Sequence, residues 1–161
     1  MITEKTAEEL VLVLKRKKLH ISLAESCTGG MVAAALTAVS GASEVFELGV
    51  VSYSERIKNC IIDVKQSTLE KYTVYSAQTA EEMALGVLKL SGADLSVAVT
   101  GLAGPNGGTK ERPVGLVYIS VAGFGRVMVQ EFHFSGNRTE IRRQTVENAL
   151  FVALKFAEDV H

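Results

Sequence analysis

Apolar positions along the chain fall into alternating helical and strand-like runs. Ala7, Leu10, Val11 and Leu14 recur on one helical face, behind Thr6 and Glu9 at capping-box spacing. The run "HISLA" predicts a short buried strand that passes directly into "ESCTGG". Met31 to Val39 then predicts a helix with almost no charge, and therefore a buried one. "LGVVSY" predicts a second strand, with Ser54 as the cap of a helical "ERIKNCII". Ser67 and Glu70 form a second capping-box pattern before a short helix. Ser76 is placed to cap a longer helix with Ala80, Met83, Ala84, Val87 and Leu88 inward, stopped near Gly92. "LSVAVT", Leu95 to Thr100, predicts a third buried strand. It ends in the glycine-rich "GLAGPNGGTKERP". "VGLVYISVA" and "RVMVQEFHF" are joined by Gly123-Phe124-Gly125, which predicts an antiparallel hairpin. Asn137 or Thr139 begins a final helix with Ile141, Thr145, Ala149 and Val152 on one stripe.

Helices alternating with strands, plus one hairpin, predict an α/β fold: a mixed β-sheet flanked by helices. The 161 residues contain no repeat, linker or low-complexity segment, so a single domain over 1–161 is expected. Composition sharpens this only a little. Hydrophobic residues make up 47% and charged residues 22%, which fits a folded domain with a real core. Seventeen basic against eighteen acidic side chains leave a formal charge of −1, so no nucleic-acid or anionic-membrane partner is expected. Cys27 and Cys60 make no C-x-x-C pair, which argues against a disulfide framework or a metal site. The opening "MITEKTAEEL" lacks the apolar core of a signal peptide, and no apolar run approaches the ~20 residues that span a bilayer. A cytoplasmic location is expected.

Chemistry concentrates in two loops that leave buried strands, Glu25–Gly30 and Gly101–Thr109. Ligands of open α/β sheets bind at such strand ends, where glycines let the main chain approach an anion. Neither loop has the Walker A or G-x-G-x-x-G spacing, so both remain open between tight turns and anion cradles. Ser26 sits at the strand-to-helix corner, where a hydroxyl can be exposed beside backbone amides. Cys27 is its rival as nucleophile. His20, His133 and His161 lie at a strand edge, in the hairpin and at the terminus, which leaves a lysine as the candidate base for a serine. "SYSERIKN" supplies one: Tyr53 closes a strand, and Lys58 lies about a turn and a half into the next helix. Arg138 and Arg142, four residues apart, share a helical face and are candidate clamps for a phosphate or carboxylate. Spacing alone favours a solvated Lys58 over a functional one and reads both arginines equally well as a solvated face.

The blocks "AESCTGG", "GVVSYSERIK", "VAVTGLAGPNGGT", "PVGLVYISVA" and "FSGNRTEIRRQTVENAL" resemble, in order and spacing, the CinA C-terminal-domain family. The resemblance runs from about Ala7 to Ala157. It implies a nicotinamide-nucleotide amidohydrolase, converting nicotinamide mononucleotide to nicotinate mononucleotide and ammonia in pyridine-nucleotide salvage. It places the catalytic serine, tyrosine and lysine on Ser26, Tyr53 and Lys58. The substrate-binding residues expected with them are Glu25, Thr28, Gly29 and Gly30 in the first loop, and Gly101, Gly104, Pro105, Gly107, Gly108 and Thr109 in the second. Arg138 and Arg142 complete that set. No metal or organic cofactor is implied, and a homo-oligomer, dimer or trimer, is expected. Some members carry an additional pyrophosphatase-like domain; this chain begins at Met1 and is too short for it, so the stand-alone form is expected. Two departures stand out. Glu55 replaces a common asparagine, and "KYTVYS" replaces a segment nearer His-Gly-Ala-Val-Ser, a change expected to affect packing at a turn. The alternatives weighed are a catalytically silent pyridine-nucleotide binder, a phosphotransferase and a scaffold module.

Overall fold

Burial along the strands decides where each one sits. β1 (Ile21–Glu25) and β3 (Leu95–Gly101) are buried at every position, and β4 (Leu116–Gly123) at all but Tyr118. β2 (Phe46–Val51) and β5 (Arg126–His133) instead mix exposed with half-buried positions. The fully apolar strands are therefore central and the mixed ones are edges. In the computed structural model, which describes residues 2–161, the order is β2-β1-β3-β4-β5. β2, β1 and β3 run parallel, while β4 and β5 are antiparallel to their neighbours. Register brings Glu25 level with Val51 of β2 and Val99 of β3, so the chain leaves all three parallel strands at one edge of the sheet.

Helices cover both faces. α1 (Ile2–Lys17), α2 (Met31–Thr37) and α6 (Arg138–Asp159) pack against the face carrying Leu23, Val97, Val99, Ile119 and Val121. α3 (Glu55–Ile62), α4 (Gln66–Tyr72) and α5 (Ala77–Ser91) cover the other, where the three central strands present Ala24, Ala98 and Ala122. These small side chains let α5 lie low on the sheet, and Gly86 lets it meet α3. A Cβ at Gly86 would lie 1.7 Å from the Ile62 carbonyl oxygen. The inward stripes of α1, α5 and α6 are those read from the sequence, and only Leu88 among them is half-buried.

Helix ends show which local signals govern. Ser76 accepts from the Thr79 N–H at 3.1 Å, and α5 stops at Gly92 in the left-handed conformation. Asn137, not Thr139, caps α6, with a complete capping box to Glu140. The other two boxes do not form. α1 already begins at Ile2, which puts Thr6 inside the helix. Ser67 lies inside α4, whose first donors turn to a distant residue: Glu82 of α5 accepts from the Lys65 N–H at 2.8 Å and the Thr68 hydroxyl at 2.7 Å. α2 is shorter than expected and buries only Val32 and Leu36. β2 lies two residues earlier than "LGVVSY", which frees Ser52 and Tyr53 from the strand. The hairpin turns on Phe124 and Gly125, both at positive φ (53° and 72°), the type I′ geometry that suits twisted strands.

Candidate active site

The first loop is built around a buried carboxylate. Glu25, 2% exposed at the end of β1, points its side chain at the start of α2. Its Oε2 accepts from the Thr28 hydroxyl at 2.5 Å and from the Gly30 and Val32 N–H groups at 3.0 Å. Its Oε1 accepts from the Ala33 N–H at 2.8 Å. The residue that begins the loop thus satisfies the donors that a helix start leaves open, and its negative charge suits the positive end of the helix dipole. Gly29 and Gly30, at φ 58° and 101°, make the corner sharp enough for Glu25 to reach back to it. Arg142 of α6 clamps the outside, donating through Nε to the Cys27 carbonyl and through an η nitrogen to the Thr28 carbonyl, both at 3.0 Å.

Ser26 is held at the tip of this corner. Its N–H donates to the Val99 carbonyl of β3, which fixes its backbone. Lys58, from the first turn and a half of α3, is only 1% exposed, and its Nζ lies 2.9 Å from the Ser26 Oγ. The same Nζ donates to the Ser52 carbonyl at 2.6 Å. No carboxylate pairs with it among the described residues. Burial lowers the amine from its ordinary 10.5 to about 8, partly countered by the fields of Cys27 and Glu55. About a tenth of the amine is then neutral at pH 7 and about half at pH 8, and the neutral form can take a proton from a hydroxyl in contact with it. Cys27 behaves oppositely. Burial pushes its thiol up to about 12, which keeps it protonated and poorly nucleophilic.

The second loop closes the other side. Ser26, Lys58, Tyr53, Gly101, Leu102, Ala103, Gly104, Asn106 and Arg138 line one cleft of about 140 Å³, together with Cys27, Val74 and Tyr75. Arg138, the first residue of α6, donates to the Gly104 carbonyl at 2.8 Å and to the Tyr53 hydroxyl at 3.1 Å. Two of five guanidinium donors are thereby used and three remain. The backbone N–H groups of Ala103 and Gly104 have no partner among the described residues. Gly104 has φ 74°, and a Cβ there would lie 2.4 Å from Val114 Cγ1, so only glycine fits.

A buried amine touching a serine hydroxyl, beside a loop with free donors, is the constellation that comparison with known proteins must explain. The CinA C-terminal domain matches residues 3–157. The chain belongs to the CinA C-terminal domain family. It is 45% identical over 148 residues to the nicotinamide-nucleotide amidohydrolase PncC of Enterobacter agglomerans, covering 91% of this chain and 90% of that protein. It is 51% identical over 130 residues to a CinA-like protein of Syntrophomonas wolfei, covering 81% of this chain and 31% of the relative. The chain spans 38% of the length of a further relative from Thermoanaerobacter pseudethanolicus, so within the family it matches both short proteins and parts of long ones. Among solved structures, the competence/damage inducible protein CihA from Agrobacterium tumefaciens superposes with a TM-score of 0.93 at 41% identity, covering 96% of each chain.

The family motifs do not all face the cleft. Of the residues singled out in the sequence, Ser26, Cys27, Lys58, Tyr53, Gly101, Gly104 and Arg138 line it. Glu25, Thr28, Gly29, Gly30 and Arg142 are instead engaged in building the corner that carries Ser26. Pro105, Gly107, Gly108 and Thr109 lie along the outer part of the second loop, where Thr109 exchanges hydrogen bonds with Arg112. Tyr53 sits on the rim, 60% exposed, and its hydroxyl accepts from Arg138, not from Lys58 or Ser26. Sequence reasoning passed over Ser52, whose carbonyl anchors the amine, and Asn106, a polar residue inside the glycine-rich loop that its setting already marked. It also passed over Val74 and Tyr75. The "KYTVYS" departure, read as packing at a turn, supplies part of the cleft wall. No group of three or more His, Cys, Asp or Glu among the described residues is placed to hold a metal, and no described helix is long and apolar enough to cross a membrane.

Proposed function

We propose that the chain hydrolyses the carboxamide of nicotinamide mononucleotide, giving nicotinate mononucleotide and ammonia. The observation that carries this reading is the 2.9 Å contact between the buried Lys58 Nζ and the Ser26 Oγ. The family match and the amidohydrolase relative supply the substrate. Neutral Lys58 takes the Ser26 proton as Oγ bonds to the amide carbon, and the carbonyl electron pair moves onto oxygen. The N–H groups of Ala103 and Gly104 are the candidate donors to that oxyanion. Lys58 then returns the proton to the leaving nitrogen, the C–N bond breaks, and ammonia departs. Water attacks the resulting Ser26 ester, giving a proton to Lys58; the C–Oγ bond breaks, Lys58 returns that proton to Oγ, and the acid product leaves as the carboxylate, its proton passing to solvent. Arg138 offers its remaining donors to the substrate phosphate, and Tyr53 holds Arg138 in place. The cycle uses only this chain's side chains and water, and the protein works as a closed homo-oligomer in the cytoplasm.

Ammonia release from nicotinamide mononucleotide tests the reading. The unsubstituted protein releases ammonia, Ser26→Ala stops it, and Cys27→Ala keeps most of it. Activity that survives Ser26→Ala but not Cys27→Ala would assign the attack to the thiol.

A further inference from the structure

The cleft that holds Ser26 and Lys58 is small. At about 140 Å³ it has room for a flat amide-bearing ring, well below the ~300–1,000 Å³ of typical whole-ligand sites. A second cavity of about 360 Å³ lies beside it, lined among others by Gln78, Arg112 and Tyr118. Tyr75 lines both. On the amidase reading, on which this inference rests, the amide carbon must reach Ser26, and that carbon is bonded directly to the pyridine ring. The ring therefore sits in the small cleft.

That ring carries a positive charge once its nitrogen bears a ribose. None of the residues lining the small cleft has a carboxylate to meet it. Besides neutral carbonyl oxygens, the groups there that attract a cation are the faces of Tyr53 and Tyr75, which a flat ring can stack against. Tyr53 is on the rim with its hydroxyl engaged by Arg138. Tyr75 is half-buried, and its backbone is fixed from several sides. The Tyr75 N–H donates to the Thr73 hydroxyl at 3.2 Å, and the hydroxyls of Ser76 and Thr79 both donate to the Thr73 carbonyl, at 3.0 and 2.7 Å. From the sheet, the Thr100 hydroxyl donates to the Val74 carbonyl at 2.7 Å. Thr73 itself has φ 67° and ψ 175°, a conformation that is otherwise almost confined to glycine and persists only where the surroundings enforce it.

We infer that Tyr75 is a specificity-determining residue, whose ring forms the wall against which the cationic pyridinium ring of the substrate packs. The preference for a charged over a neutral ring then resides in the aromatic face of Tyr75, not in its hydroxyl.

Equilibrium binding to the Ser26→Ala protein tests this with two ligands that differ in ring charge: nicotinamide mononucleotide and its reduced dihydro form. The charged ligand should bind more tightly. Tyr75→Phe should keep that preference, and Tyr75→Leu, of similar bulk without a π face, should reduce it by about 3- to 30-fold. Thermal melts of both variants establish that each is folded; if Tyr75→Leu does not fold, Tyr75→Gln takes its place. An unchanged preference in the folded non-aromatic variant, or none in the parent, overturns the inference. Ammonia release by the unsubstituted protein is measured alongside. Its failure with the binding preference intact would overturn the amidase reading and leave the role of Tyr75 standing.

Discussion

Two glycine-rich loops leave adjacent strands at the same edge of the sheet, and in the sequence they look like a pair. In the structure they do different work. In the first, the donors of the corner are taken up from within: Glu25 accepts four hydrogen bonds from Thr28, Gly30, Val32 and Ala33. Only the Cys27 and Thr28 N–H groups of that loop are without a partner among the described residues. In the second, Arg138 takes the Gly104 carbonyl, while the N–H groups of Ala103 and Gly104, two residues that line the cleft, have no partner among the described residues. The first loop is a rigid mount for a hydroxyl; the second is a surface that can receive charge. Glycine content does not separate these roles. What separates them is how many of the backbone donors a nearby acidic side chain has already claimed.

The comparison predicts different consequences for substitutions in the two loops and in the groups they hold together. The largest effect is on rate, at the amine facing the first loop. Lys58→Arg keeps the charge but cannot lose its proton at any working pH, and ammonia release should fall by at least ~10²-fold. Near-normal turnover would reduce Lys58 to a structural cation. Next comes the mount. Glu25→Ala strands a buried hydroxyl and three backbone donors, one buried and two part-buried, so unfolding free energy should drop by roughly 2–4 kcal/mol, with activity lost in parallel. A Glu25→Ala protein as stable as the parent but unable to bind substrate would mean that Glu25 belongs to the substrate site after all.

Smaller effects belong to the second loop. Gly104→Ala meets both a positive φ and the Val114 side chain, and should cost about 1–3 kcal/mol in chemical denaturation. Asn106→Ala, at an exposed position on the cleft wall, should leave stability within about 0.5 kcal/mol and raise KM a few-fold. Loss of stability at Asn106 without a change in KM would place that side chain outside the binding surface.

Lys58 also links stability to pH. Its folded value near 8 lies below the ordinary 10.5, so between those values the unfolded chain holds more protons than the folded one. Stability from this group is therefore greatest above about pH 10 and is lost as pH falls through the window to about 8. Lys58→Met should be catalytically dead yet at least as stable as the parent at pH 7, with any advantage shrinking toward pH 10.

Signals confined to a few residues of chain were legible in the sequence. Ser76 with Gly92 bounds its helix as read, Asn137 is one of the two starts read for α6 and completes a box with Glu140, and the β4–β5 hairpin formed on its glycine turn. The same three-residue spacing misled at Thr6 and Ser67, because Thr-x-x-Glu and Ser-x-x-Glu also fit a helix interior. At α4 the real cap, Glu82, comes from another helix and leaves no local trace. The site divides in the same way. Ser26 was visible as a hydroxyl at a strand-to-helix corner. Lys58, by spacing, was one more lysine on a short helix, and only family resemblance raised it above that. Its burial depends on Ser52, on the first loop and on the sheet edge together. Tyr75 was invisible because its place in the cleft wall is fixed by hydrogen bonds from β3 and α5 to the backbone around it, not by anything in "KYTVYS" itself.

The central claim is that Lys58, lowered by burial, deprotonates Ser26. The most direct measurement is kcat/KM for ammonia release from nicotinamide mononucleotide across about pH 6 to 10. The rate should climb roughly tenfold per pH unit, level off above a single ionisation near 8, and show no such limb in Lys58→Arg. A profile that is flat across that range, or a limb that persists in the arginine variant, would contradict the account.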